Sequence, residues 1–302
     1  MKGFFIVKTP SEIYQLMDNF PSLDTEVVEI KETLHRIVAE DILSPINLPD
    51  FNRSTVDGYA LKAKDTFGAQ ACLPAILEVV GEVNMGMPAD IKLDDGQAVR
   101  IPTGGMLPLG ADAVVMVEHT HEVDSYTIEV SKALAPLENV IQIGDDIKKE
   151  ELLVHSGHKM RPQDVGIMAA IGKKEIKVFK RPKVAIISTG DEIVDIDSEP
   201  PLGKIRDVNS YTLGALVEEA GAEPLYLGIA RDIFEDLRNK CSMGLKEADM
   251  VIISGGSSVG VRDLALDVIT SFPDSKVLAH GISVSPGKPT ILAQIGKKAL
   301  WG

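Results

Sequence analysis

Apolar residues at helical spacing open the chain. Thr9-Pro10-Ser11-Glu12 supplies an N-cap, a proline in the first turn and a capping-box glutamate. Ile13, Leu16, Met17 and Phe20 follow, so a helix is predicted that ends before Pro21. A second short helix is expected from Lys31 to Glu40, burying Leu34, Ile37 and Val38. Beyond it the stretch Ser44 to Phe51, with Pro45 and Pro49, reads as extended.

From about residue 55 to 140 the period shortens. Ile76 to Val83, Gln97 to Ile101, Ala113 to Glu118 and Tyr126 to Val130 are short β-type runs separated by Gly, Pro and Asp, the pattern of a small barrel or sandwich. A helix returns at Pro162 to Ile171, stopped by Gly172. Helical segments on both sides of the β region imply one domain inserted into another.

After Lys180-Arg181-Pro182-Lys183 strands and helices alternate. Strands are predicted at Val184 to Ser188, Pro224 to Ile229 and Met250 to Ser254. Helices are predicted at Ser210 to Ala220 (capped by Asn209, closed by Gly221), Ile233 to Glu247 and Arg262 to Thr270. Alternation of this kind means a parallel sheet covered by crossover helices. The last residues read as a hairpin, Thr290 to Ile295 and Ala299 to Gly302. Its second arm looks cut short, so a longer natural polypeptide is expected. The fold class is thus multidomain, α/β and β.

Composition narrows the function. With 31 Lys and Arg against 45 Asp and Glu, the net charge of −14 argues against generic nucleic-acid binding. Two cysteines, Cys72 and Cys241, without a C-x-x-C pair make a disulfide framework or structural zinc site a poor expectation and fit a reducing compartment. Neither a signal peptide nor a run of about 20 apolar residues is visible, so a cytoplasmic protein without membrane contact is expected.

Three polar loops follow strand ends in the α/β half, the edge where open parallel sheets take ligands. They are Ser188-Thr189-Gly190-Asp191-Glu192, Ala230-Arg231-Asp232, and Ser254-Gly255-Gly256-Ser257-Ser258-Val259-Gly260-Val261-Arg262-Asp263. Glycines let backbone N–H groups approach an anion, the following helix start favours phosphate, and Ser257 and Ser258 add hydroxyl donors. Any α/β domain needs glycines at such turns; three polar loops on one edge favour a ligand site. The carboxylates Asp191, Glu192, Asp232 and Asp263 suit a phosphate only with a hard cation between them, and Mg2+ fits. Ser285-Pro286-Gly287-Lys288-Pro289 holds a lysine between prolines, suited to an oxyanion or to a plain turn. Asp50 to Ala60 and Thr103 to Pro108 are dense polar loops beside the β region. His119 and His121 read as one solvated strand face, since no cysteine accompanies them. No G-x-S-x-G elbow and no P-loop motif occurs.

Taken in order, D-F-N-R-S-T-V-D-G-Y-A (50–60), I-P-T-G-G-M-L-P-L-G-A-D-A-V-V (101–115), G-D-D-I (144–147), S-T-G-D-E-I (188–193), R-D-V-N-S-Y (206–211), S-G-G-S-S-V-G-V-R-D (254–263) and S-P-G-K-P (285–289) resemble the MoeA family of molybdopterin molybdenumtransferases, which includes the gephyrin E domain. The resemblance covers the whole chain. It implies an L-shaped homodimer of four-domain subunits that inserts molybdate into adenylylated molybdopterin, requires Mg2+ and releases AMP. It further implies an elongated N-terminal region over 1–180 with the β domain inserted at about 55–140. A molybdopterin-binding α/β domain follows over 181–302.

Carried over by position, the resemblance implies catalytic roles for Asp57, Thr103, Asp145, Asp146, Glu192 and Asp263. It implies metal ligation by Glu192, Asp232 and Asp263. Cofactor contacts fall to Thr189, Gly190, Asp232, Gly255, Gly256, Ser257, Ser258, Gly260 and Lys288. In the family the active cleft joins the α/β domain of one subunit to the N-terminal domains of the other; other proteins of molybdenum cofactor biosynthesis are candidate partners. The chain departs from the family in two places. Ser285 stands where a lysine is common, and the family continues past the position of Gly302 into an L-P-G-N-P-like turn and a C-terminal β domain. The competing reading is a non-catalytic molybdopterin-binding or scaffold module, because the same α/β domain occurs in competence-damage-type proteins and gephyrin serves as a scaffold. The segment Asp50 to Ala60 argues against the competence type.

Overall fold

A computed structural model describes residues 7–255, 259–285 and 287–302, without the side chains of 259–263. The chain divides into two compact units. One gathers the stretch up to Ala39, Gly157–Val165 and Glu175–Gly302; the other gathers Glu40–Ser156 and Gly166–Lys174.

The first unit is built on a six-stranded sheet, ordered Glu223–Ala230, Lys183–Thr189, Met250–Gly255, Lys298–Trp301, Ile291–Ile295 and Ser275–His280. The first four of these run parallel, and Ile291–Ile295 is antiparallel to both of its neighbours. The period of two along Lys183–Thr189 explains why both faces are covered. Val184 and Ile186 pack with Leu213 and Val217 of the helix Asn209–Glu219. Ala185 and Ile187 point the other way, into a core with Leu237 and Cys241 of the helix Phe234–Glu247 and Val268 and Ile269 of the helix Val259–Thr270. Full burial of each large aliphatic side chain contributes about 1.5–3 kcal/mol before chain entropy is set against it. The N-terminal helix Pro10–Leu16 has the predicted capping box: Thr9 Oγ1 accepts from the Glu12 N–H at 3.3 Å, and the Thr9 N–H donates to Glu12 Oε2 at 2.7 Å. Ile13, Leu16 and Phe20 then pack on Leu278, Leu292 and Trp301.

The second unit is organised by a mixed six-stranded sheet, ordered Ala113–Met116, Gly58–Leu61, Gln97–Ile101, Ala75–Glu82, Thr127–Val130 and Thr120–Asp124. Gly58–Leu61 is buried throughout, because Tyr59 and Leu61 enter one core while Ala60 enters another on the opposite face.

Three local expectations are corrected. Lys31 to Glu40 is not a helix: a 3-10 turn over Ile30–Glu32 is closed by Thr33, whose N–H and hydroxyl both donate to the Ile30 carbonyl, and His35 then takes φ 65°. Left-handed backbone ends a right-handed helix; Leu34 is left exposed, and Ile37 and Val38 bridge instead to Lys159 and Val178. Asn209 lies inside its helix rather than capping it, and the carboxylate that accepts from the Ser210 N–H is Asp207, at 3.0 Å. His119 and His121 do not share a strand, since His119 ends a 3-10 turn and the strand begins at Thr120.

Candidate functional site

In the α/β unit, Thr189 is in register with both Ala230 and Gly255, so the three loops leave the sheet at one level. Ser275–His280 also runs parallel to the central strands, its end paired to the start of Ile291–Ile295. The loop carrying Lys288 therefore rises from the same edge. That loop is laced by its backbone: the Ile282 N–H donates to the Lys288 carbonyl at 2.9 Å and the Gly281 N–H to Thr290 at 2.8 Å, while Lys288 and Ser285 are exposed.

Two glycines are required by φ, and Gly255 also by contact with backbone. Gly255 has φ 139°, and a Cβ there would lie 2.0 Å from the Thr189 carbonyl oxygen. Gly190 has φ 146°, and a Cβ there would lie 2.7 Å from a carboxylate oxygen of Glu192. The Glu192 carboxylate thus folds back over its own loop. Thr189 itself is buried in the strand end.

Asp191, Glu192 and Asp232 converge at this edge. The Asp232 N–H donates to Asp191 Oδ1 at 3.3 Å, and the Asp191 carbonyl accepts from Lys204 Nζ at 3.0 Å. Asp232 Oδ1 is buried and has no hydrogen-bond partner. Burial first, and then repulsion from Asp191 and Glu192, raise the Asp232 carboxyl from its ordinary value; a backbone hydrogen bond from Asp191 offsets part of this. A buried carboxylate oxygen without a donor, beside two more carboxylates, is suited to a hard cation. Among the described residues no three His, Cys, Asp or Glu side chains are already gathered as a cage. Mg2+ does not need one, because it commonly takes one or two carboxylates and completes its octahedron with water and phosphate oxygens. Glu192 and Asp232 fit that donor set. Gly256, Ser257 and Ser258, and the side chain of Asp263, lie outside the described residues; Gly260 is in the first turn of Val259–Thr270.

Sequence reasoning missed what braces this edge. Asp207 is buried, and its Oδ1 accepts from Ser188 Oγ at 2.8 Å as well as from the Ser210 N–H; Ser188 and Ser210 hydroxyls are 2.9 Å apart. The R-D-V-N-S-Y motif contains both Asp207 and Ser210, so the signal was there without a stated role.

In the second unit three separate motifs meet. The Ser54 N–H donates to the Gly105 carbonyl at 3.0 Å and the Gly104 N–H to the Ser54 carbonyl at 2.8 Å. Asn52 Oδ1 accepts from the Ile143 N–H at 2.9 Å, and Arg53–Ser54 pairs with Val140–Ile141. Within this frame Asp57 accepts from Thr103 through both the backbone N–H (2.7 Å) and the hydroxyl (3.1 Å), which lowers the Asp57 carboxyl. Asp57 also lines a cavity of about 320 Å³ with Tyr59, Glu82, Arg100 and Val117. Asp145 closes its own turn by accepting from the Gln142 N–H at 2.7 Å, whereas Asp146 pairs with Arg53 at 3.3 Å. The structure therefore brings Asp57, Thr103, Asp145 and Asp146 onto one set of hydrogen-bonded loops. Arg53 is a member that sequence reasoning did not single out.

Residues 8–172 match the family model described as MoeA N-terminal region (domain I and II), more than half of the chain. The chain belongs to the MoeA family. Residues 185–300 of this MoeA chain match a second model, described as probable molybdopterin binding domain. It is 36% identical over 270 residues to the molybdopterin molybdenumtransferase of Haemophilus influenzae and 34% identical over 282 residues to that of Bacillus subtilis. These alignments cover 89% and 92% of the MoeA chain but 65% of each relative, so it spans about two thirds of their length. Among solved structures it is similar to a molybdopterin biosynthesis MoeA protein from Pyrococcus horikoshii, with TM-score 0.83 and 33% identity over 98% of the MoeA chain and 73% of that protein. Among the described residues of the MoeA chain no helix is long and apolar enough to cross a membrane.

Proposed function

We propose that the chain works in molybdenum cofactor biosynthesis, inserting molybdate into adenylylated molybdopterin with release of AMP. The relatives named as molybdopterin molybdenumtransferases support this reading. The observation that carries it is the Asp232 oxygen, buried without a donor at the C-terminal sheet edge beside Asp191 and Glu192.

Glycines 190 and 255, both at positive φ, let the chain turn as it leaves the strand ends, where backbone N–H groups suit the phosphates of the substrate. Glu192 and Asp232, with Asp263 as the third ligand expected from the sequence, would hold Mg2+. Bound there, Mg2+ would polarise phosphate oxygens and offset charge on the departing AMP. Lys288, exposed on the turn at the same edge, supplies positive charge to an oxyanion. In the second unit Asp57, held by Thr103, is ionised and oriented before substrate arrives, as pre-organised catalysis requires. The homodimer and the cytoplasmic setting implied by the resemblance belong to the same reading.

The test is release of AMP from adenylylated molybdopterin, with and without molybdate and Mg2+. Molybdate-dependent release, abolished by EDTA and strongly slowed in Asp232→Asn, is the expected result. Tight pterin binding with no release under any condition would favour the binding-module reading instead.

A further inference from the structure

The second unit has a charge imbalance at its candidate site. Across the three motifs 50–60, 103–106 and 142–147 there are four carboxylates, Asp50, Asp57, Asp145 and Asp146, and one basic residue, Arg53; Lys148 and Lys149 follow directly, and Arg100 lines the Asp57 cavity. The substrates proposed above are anions, and carboxylates alone would repel them.

Arg53 is placed firmly and satisfied poorly. Its backbone is fixed from two sides, paired with Ile141 and bridged to Met106. Its guanidinium has five N–H donors in a planar fork. The contact it makes with a carboxylate is one long bond, Nη2 to Asp146 Oδ2 at 3.3 Å, and its Nε–H is buried with no acceptor. A bidentate Arg–carboxylate pair would be shorter and would use two donors. The side chain remains 37% exposed, so its head is open to exchange. The other carboxylates whose bonds are defined are engaged elsewhere, Asp57 with Thr103 and Asp145 with the Gln142 N–H.

We infer that Arg53 is the anion-holding side chain of this cluster, resting on Asp146 and transferring its fork to a phosphate or molybdate oxyanion. This rests on the proposed function and adds the residue that receives the anion in the second unit. Asp146 is then a competitor that keeps the fork in place until the anion arrives.

Calorimetry with AMP and with sodium molybdate as separate titrants tests this and distinguishes the two sources of oxyanion. Arg53→Ala is expected to weaken binding of one or both by about tenfold or more, the loss of a charge-assisted hydrogen bond. Arg53→Lys, which keeps the charge without the fork, falls between and covers the case in which the alanine variant does not fold. Asp146→Asn is expected to tighten binding, because the competitor is removed. A purely structural ion pair would make Arg53→Ala and Asp146→Asn fail alike, and that result, or unchanged binding in Arg53→Ala, overturns the inference alone. Failure of the unsubstituted protein to bind either anion or the pterin would overturn the functional reading as well.

Discussion

Asp57 and Thr103, 46 positions apart in sequence, are joined by two hydrogen bonds, at 2.7 Å from the backbone N–H and 3.1 Å from the hydroxyl. The backbone bond is the larger cause of the lowered Asp57 carboxyl and the hydroxyl the second. By carbon-detected NMR titration the Asp57 midpoint is expected below that of an ordinary Asp. In Thr103→Val it should move up without returning fully, since the backbone N–H remains. Because the folded value is depressed, any stability linked to this group is present above the unfolded value and lost as pH falls through the folded one. A midpoint unmoved in Thr103→Val would remove the hydroxyl from the account.

Gly255→Ala is expected to destabilise the α/β unit by about 3 kcal/mol or more, measured by urea unfolding. Two costs combine: φ 139° is a conformation L-residues rarely adopt, and the new Cβ would meet the Thr189 carbonyl at 2.0 Å. A neutral result would mean that the strand ends are not as close as described.

Asp207→Ala should cost about 1–3 kcal/mol, because it leaves the Ser210 N–H without its acceptor and the Ser188 hydroxyl without its carboxylate in a buried setting. Asp207→Asn, which keeps an acceptor oxygen, should cost less. Equal losses would place the effect in charge rather than in the hydrogen bonds.

The two cysteines differ. Cys241 is fully buried in the α/β core and its thiol is pushed up to about 12 by burial, whereas Cys72 is exposed. A native-state thiol titration should label Cys72 alone, with Cys241 reacting only on unfolding. Labelling of both at similar rates would contradict the packing of the helix Phe234–Glu247.

Periodicity was most informative where burial is local. Gln97–Ile101 matches its expected bounds, and the expected strands and helices of the α/β half agree with the observed ones to within three residues at either end. It failed where partners are distant. Thr25–Glu29 went unnoticed as a strand because its partner, Glu175–Phe179, lies about 150 residues away, and Ser275–His280 because its hairpin partner follows a ten-residue loop. The polar loops were legible as loops, and glycine spacing pointed to Gly190 and Gly255. Sequence could not reveal that Asp232 keeps an unpaired buried oxygen, or that Arg53 is held by a single long bond, since both depend on which side chains fail to meet.

The cation account makes an unusual demand on Asp232. A carboxyl whose folded value is raised is favoured when protonated, so its contribution to stability falls as pH rises through that value, and at neutral pH the metal-free site is destabilising. The direct measurement is the thermal midpoint at neutral pH, with and without Mg2+, for the unsubstituted protein and Asp232→Asn. The account predicts that Mg2+ raises the midpoint of the unsubstituted protein, that Asp232→Asn is at least as stable without Mg2+, and that Mg2+ then adds little. An equal Mg2+ effect in both proteins, or a less stable Asp232→Asn, would contradict it.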